Sequence, residues 1–289
     1  MSEEKIEKAR TPIFFYGSVL PAVLVFTVLL LFPLAYEVYA AFVTRDGIFT
    51  LDNIVTVVND PLYVWSLIRM IIYIVIDISI KFGLGLITAA AFKQEFLGRG
   101  VVTALALAPW AVPLIPALFA WYMLYSPDFG VINYALLQLG VVKTPYMFLN
   151  DPNTALYWII WAHAWRYTPM WTTMLLSGLY AIPEEYYESA KIDGATPFRT
   201  FIKITIPMLK RFLLMNAVLS LIWTSGEFAS VWVMTRGGPG NSTQIVGTYA
   251  YWYLLFIGNS NVAAAALVVA LPIIIVLMLI FMRLVGGRR

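Results

Sequence analysis

The chain has 289 residues, of which 61% are hydrophobic and only 12% charged. A soluble domain carries about twice that charged fraction, so the composition excludes a water-soluble globular protein and points to an all-α polytopic membrane protein. The net charge of +3 gives no reason to expect a nucleic-acid partner, and the absence of cysteine rules out disulfides and thiolate metal sites.

Lys5, Lys8 and Arg10 precede the first apolar run, Ile13–Tyr36. This run exceeds the roughly 7–15 apolar residues of a secretory signal, so it reads as a retained helix. A bilayer crossing needs about 20 apolar helical residues. Spans are expected at about 13–38, 63–92, 101–124, 154–180, 211–234 and 262–284, within a single transmembrane domain over 1–289. In lipid each span has to satisfy its own backbone hydrogen bonds, so each is expected to be helical.

Six spans put both termini on one side, and the basic residues choose which. Lys93, Arg99, Lys191, Arg199, Lys203, Lys210, Arg211, Arg283, Arg288 and Arg289 join the three N-terminal cations on the inside. The outside loops hold only Arg45, Lys143 and Arg236. The positive-inside rule therefore places both termini in the cytoplasm.

Within the second span, Asp77 and Lys81 are i, i+4 neighbours of opposite charge. They are expected to form an ion pair on the bundle interior, with an ion or proton relay as the sharper alternative. Pro109, Pro113 and Pro116 are expected to kink the third span.

Between the fourth and fifth spans, residues 182–210 form the one long inside loop. Pro183 suits a first helical position, Glu184 and Glu185 complement the positive helix end, and Gly194 suits a helix stop. Thr196 and Pro197 then cap a second helix. Two short helices joined at a glycine are expected beneath the membrane, with Pro207 marking the approach to the fifth span. Such a helix fits a groove on a partner, although a solvated amphipathic connection has the same pattern.

Glu188-Ser189-Ala190, then Asp193-Gly194-Ala195, then Ile204-Thr205-Ile206-Pro207 resembles the EAA loop of binding-protein-dependent ABC importer permeases. Ser189 and Ile206 stand where that family has Ala and Leu, and the proline common just beyond the motif is missing. Ala108-Pro109-Trp110-Ala111-Val112-Pro113, Ser126-Pro127-Asp128-Phe129-Gly130 and Thr235-Arg236-Gly237-Gly238-Pro239 resemble the maltose-type, carbohydrate-uptake subfamily. Arg69-Met70 departs from the Asn-Thr pair usual in that subfamily. The resemblance implies a permease of a prokaryotic cytoplasmic membrane, coupled to ATPase subunits through Glu188, Ser189, Ala190, Asp193, Gly194, Ala195 and Pro207. It further implies a second related permease, two ATPase subunits that bind ATP and Mg, an extracytoplasmic sugar-binding protein, and a sugar substrate. This chain itself is expected to hold no cofactor or metal and to perform no catalysis.

One absence agrees with that division of labour: the sequence has no G-x-x-x-x-G-K-[ST] phosphate loop. Polar groups inside a span usually face a partner or a water-filled path. In the fourth span His163, Arg166 and Tyr167 share a helical face with Met170, and in the fifth Ser220, Thr224 and Glu227 do the same beside Trp223. These seven residues, without Met170, are the candidate substrate path, and the resemblance puts the positions of His163, Tyr167, Ser220 and Thr224 near the transported sugar. Two alternatives stand beside this. Glu227 and Arg166 would pair across the bundle, or Asp77, Lys81, Arg166 and Glu227 would serve an ion-coupled secondary transporter or channel. An intramembrane enzyme has little support, since there is one histidine and neither H-E-x-x-H nor G-x-S-x-G.

Overall fold

The computed structural model describes residues 16–286. Among them there is no strand, only an isolated bridge between Val43 and Phe49. The chain is a helical bundle whose long helices are separated by short ones at the ends. Helix α1 is Tyr16–Ala41, followed by the short α2 (Asp52–Asn59) and then by α3, a single helix of 33 residues over Pro61–Lys93. Asp60 starts α3 by accepting a hydrogen bond from the Leu62 amide at 2.8 Å, and Pro61 occupies the first turn, where its missing N–H costs nothing.

Helices α4 (Arg99–Ala111) and α5 (Leu114–Leu124) follow, bent by 101° to each other, then the short α6 (Val131–Gln138). The expected kink in the third span is therefore a sharp break at Val112–Pro113, not a bend within one helix over 101–124. Pro113 and Pro116 each remove a backbone hydrogen-bond donor at the break and in the first turn beyond it.

Helix α7 is Ala155–Tyr180, and α8 is Glu184–Ile192. Helix α9 runs without interruption from Pro197 to Ser225. This corrects two expectations, a separate second short helix after Gly194 and a span confined to 211–234. The wide turn over Phe201–Thr205, in which the Ile206 amide reaches back to the Phe201 carbonyl, accommodates Pro207 inside the helix. The helix stops at Gly226, and the rest of that expected span is the separate short α10 (Ala229–Met234). Helices α11 (Val246–Ile257) and α12 (Ser260–Gly286) complete the bundle.

Four of these helices, α1, α3, α9 and α12, are long and apolar enough to cross a membrane, and the bent pair α4–α5 makes a fifth if it is one span. Helix α7 has 26 residues, but its run of Trp, Tyr and Thr makes it less apolar. The expected first span began at 13, and residues 13–15 lie outside the described residues.

The core lies where α3 packs along α7. Tyr73, Ile74 and Ile78 are buried there with Ile159, Ile160, Trp171 and Leu175. Lipid is as apolar as these side chains, so close packing rather than water exclusion holds the helices together. Gly85 shows how close: a Cβ on it would lie 2.7 Å from the Trp171 Cβ. Helix α1 is the opposite case, with its apolar side chains exposed along nearly its whole length until Ala40 and Ala41.

Candidate functional site

The break between α9 and α10 brings the polar residues of the bundle together. Thr224 is in the last turn of α9, and Glu227 lies in the non-helical step before α10. Asp77 of α3 faces them across the core. Its Oδ2 accepts from Thr224 Oγ1 at 2.9 Å and from Lys81 Nζ at 2.5 Å, while its Oδ1 lies 2.8 Å from His163 Nδ1. His163 Nε2 lies 3.2 Å from Glu227 Oε2, and Glu227 Oε1 accepts from the Ser230 amide at 2.6 Å. Glu227 thereby serves an otherwise unpaired amide in the first turn of α10, which also favours negative charge. Asp77, Lys81, His163, Thr224 and Glu227 are all buried.

The seven candidate path residues divide into two groups. His163, Ser220, Thr224 and Glu227 are buried and bonded to neighbours inside this chain, with Ser220 Oγ accepting from the Trp171 indole N–H at 2.7 Å. Arg166 and Tyr167 are half-buried and Trp223 is exposed. The Tyr167 ring lies 6.4 Å from the Trp223 ring and 4.6 Å from the His163 ring, with the Arg166 guanidinium 5.0 Å from its centre. These three form an aromatic and cationic face in front of the buried polar group. An Arg166–Glu227 pair does not form. Arg166 Nη2 instead donates to the Val112 carbonyl at 2.8 Å, at the break between α4 and α5.

Sequence reasoning missed Tyr73, whose ring packs edge-on against His163 at 5.5 Å, and the contact between Thr88 and Thr172 at 2.6 Å. The spacing of Tyr73 four residues before Asp77 placed it on the same face and was the available signal. The Ser230 amide and Val112 carbonyl had none, because backbone groups become partners only where a helix breaks.

A second cluster lies at the other end of α7. Helix α8 has Glu184 and Glu185 in its first turn and ends at Asp193. Gly194 follows with φ +71°, and the Ala195 amide closes the helix onto the Ala190 carbonyl at 2.9 Å. Thr196 Oγ1 accepts from the Arg199 amide at 3.3 Å and so starts α9. Glu188, Ser189, Asp193, Gly194 and Pro207 are exposed, Ala195 is half-buried, and Ala190 is buried. Ile192 and Phe198 stand out into solvent at 86% and 76% exposure, on either side of the glycine. Tyr187 anchors the helix from behind: its hydroxyl lies 3.3 Å from Thr205 Oγ1, and Lys93 Nζ sits 4.3 Å from its ring centre. A cleft of about 730 Å³, lined by Lys93, Glu95, Glu184, Tyr187 and Phe201 among others, separates α8 from the ends of α3 and α9.

The trehalose/maltose transport system permease protein MalF of Thermococcus litoralis is 30% identical over 280 residues, covering 95% of this chain and 94% of that protein. Two crystal structures share the fold. A bacterial ABC transporter involved in the import of the acidic polysaccharide alginate matches with a TM-score of 0.85 at 19% identity, covering 98% of this chain and 99% of the other. A bacterial alginate ABC transporter in complex with an alginate pentasaccharide-bound periplasmic protein matches with a TM-score of 0.82 at 20% identity, covering 95% and 94%. Residues 81–289, which carry α8 and all the polar partners of Asp77, match the family model of binding-protein-dependent transport system inner membrane components, and the chain belongs to that family.

Proposed function

We propose that this chain is one permease subunit of an ATP-driven sugar importer, crossing the membrane six times with both termini in the cytoplasm. The family match over residues 81–289 carries the reading. The trehalose/maltose relative and the alginate transporters support a carbohydrate as substrate. The complex of an alginate transporter with its sugar-loaded periplasmic protein supports delivery by a separate binding protein. In this reading the bent pair α4–α5 is one span, and α7 supplies the sixth, which apolar length alone does not count.

The chain acts with a second related permease, and two ATPase subunits bind ATP and Mg. Helix α8 is the coupling helix. Its exposed Glu188, Ser189 and Asp193, with Ile192 and Phe198 beyond them, seat in a groove of an ATPase subunit. Half-buried Tyr187 ties it to α9 through Thr205 and to α3 through Lys93, so a displacement of the ATPase reaches the bundle. Sugar passes along the face made by Arg166, Tyr167 and Trp223, where aromatic rings suit sugar C–H faces and the guanidinium suits hydroxyls. ATP binding opens this path outward and hydrolysis resets it inward.

An ion-coupled transporter is the weaker reading, because Asp77, Lys81, His163 and Glu227 neutralise and hydrogen-bond one another instead of facing an open path. Reconstitution in vesicles separates the two. The chain alone is expected to show neither ATP hydrolysis nor sugar uptake, and uptake is expected only with the second permease, the ATPase subunits and the binding protein. Uptake by the chain alone, driven by a sodium or proton gradient, overturns the reading.

A further inference from the structure

His163 is buried between two carboxylates, with Nδ1 2.8 Å from Asp77 Oδ1 and Nε2 3.2 Å from Glu227 Oε2. An ionised carboxylate only accepts hydrogen bonds, so each ring nitrogen has to donate to its partner. A neutral imidazole donates from one nitrogen only and would leave a lone pair facing a carboxylate oxygen. The other titratable and charged groups facing this cluster are Lys81 and Tyr73 from α3, and Tyr167 with the Arg166 guanidinium over its ring from α7. Counting Asp77 and Glu227 as anions and Lys81 and His163 as cations, the buried quartet is neutral as a whole.

We propose that His163 is a positioning residue, a doubly protonated imidazole that latches the break between α9 and α10 onto α3, rather than a group that touches the transported sugar. Asp77 holds both ends of the latch, through Thr224 at the last turn of α9 and through His163 and Glu227 at the first turn of α10. Helices in lipid gain little from hydrophobic contact, so a neutral quartet whose members each bond to another is a strong local tie. Separating its members would leave unpaired charges in a medium that solvates them poorly. Helix α3, helix α7 and the α9–α10 junction therefore move as one body. The inference rests on the permease reading only for its transport readout; the protonation state of His163 is measured without it.

His163 is the chain's only histidine, so its ring nitrogens are observed directly by nitrogen-15 NMR of the chain labelled at histidine. At neutral pH both ring nitrogens are expected to carry protons. In Glu227→Gln the new side-chain amide donates to Nε2 instead, and the imidazole is expected to become neutral while transport by the assembled complex falls only slightly. His163→Gln alone leaves two carboxylates against one lysine, and uptake is expected to fall at least about tenfold, as befits a buried group left facing an acceptor. The double variant His163→Gln/Glu227→Gln restores neutrality. Its amide at position 163 donates to Asp77 and accepts from the amide at position 227, whose oxygen still accepts from the Ser230 N–H. Most of the lost uptake is expected to return. A neutral imidazole in the unaltered chain overturns the proposal, and so does a double variant no better than His163→Gln, as a lost sugar contact would give. Absence of uptake by the unaltered complex would count against the permease reading alone and leave the NMR result standing.

Discussion

Arg166 Nη2 donates to the carbonyl of Val112, the one carbonyl at the α4–α5 break that Pro116 cannot serve. In a continuous helix the amide four residues on would bond that oxygen, but a proline there has no N–H. An arginine from α7 takes its place. Arg166→Met is expected to remove this bond and to destabilise the chain by about 0.5–1.5 kcal/mol, while Arg166→Lys keeps one donor and recovers part of the loss. Thermal unfolding in detergent checks this; equal midpoints for the unaltered chain and Arg166→Met would assign the contact no weight.

The approach of α3 to α7 depends on a missing side chain. Gly85→Val is expected to destabilise by about 1–3 kcal/mol, because its Cβ would meet Trp171 at 2.7 Å. Gly83→Ala, with nothing within 4 Å of the added atom, is the control. The unfolding midpoint is expected to drop for the first variant and stay for the second.

At Gly194 nothing lies within 4 Å of an added Cβ, yet φ is +71°. Gly194→Val therefore acts through the backbone alone, at about 1–2 kcal/mol for a side chain held in the left-handed region. The altered end of α8 is expected to weaken capture of the ATPase subunit and to reduce uptake, with membrane insertion unchanged. Pull-down of the ATPase beside an uptake assay measures both, and normal values for each would remove α8 from the coupling role.

Topology is open to labelling, since the chain has no cysteine. Ser189→Cys and Lys143→Cys, both at exposed positions, are expected to react from opposite faces of the membrane, Ser189→Cys from the cytoplasm. Thr243 is a poor probe of the outer side, being buried with its hydroxyl bonded to the Gly238 carbonyl. Reaction of both cysteines from one side would mean that the spans are miscounted.

Tyr167→Ala and Trp223→Ala are expected to raise the KM for sugar about threefold to tenfold, in line with the roughly 0.5–1.5 kcal/mol of an aromatic contact. ATPase association is expected to remain intact. A lower rate at unchanged KM would speak against contact with the sugar.

Much of the site follows from helical spacing. The i, i+4 step places Asp77 beside Lys81, and Gly194 and Thr196 mark where α8 stops and α9 starts. What spacing could not convey is which neighbour a side chain selects across the bundle. Glu227 reads as the continuation of a face shared with Ser220 and Thr224, but the helix ends at Gly226, and only the turn beyond it aims Glu227 at His163. Arg166 reads as a partner for that carboxylate, but the broken helix next to it offers a carbonyl with no other donor among the described residues. In both cases a helix break decided the partner, and a periodic pattern describes only the unbroken stretches.

Helix α3 has no such break. Its 33 residues make a rod about 50 Å long. At one end Asp60 accepts a hydrogen bond from the Tyr249 hydroxyl at 2.7 Å, at the other Lys93 rests on the Tyr187 ring of α8, and Asp77 sits midway. A helix whose hydrogen-bond ladder is continuous from end to end links the two contacts mechanically. In the coupling role proposed for α8, a displacement there is expected to reach Asp60 and Tyr249 at the far end of α3 through this one helix.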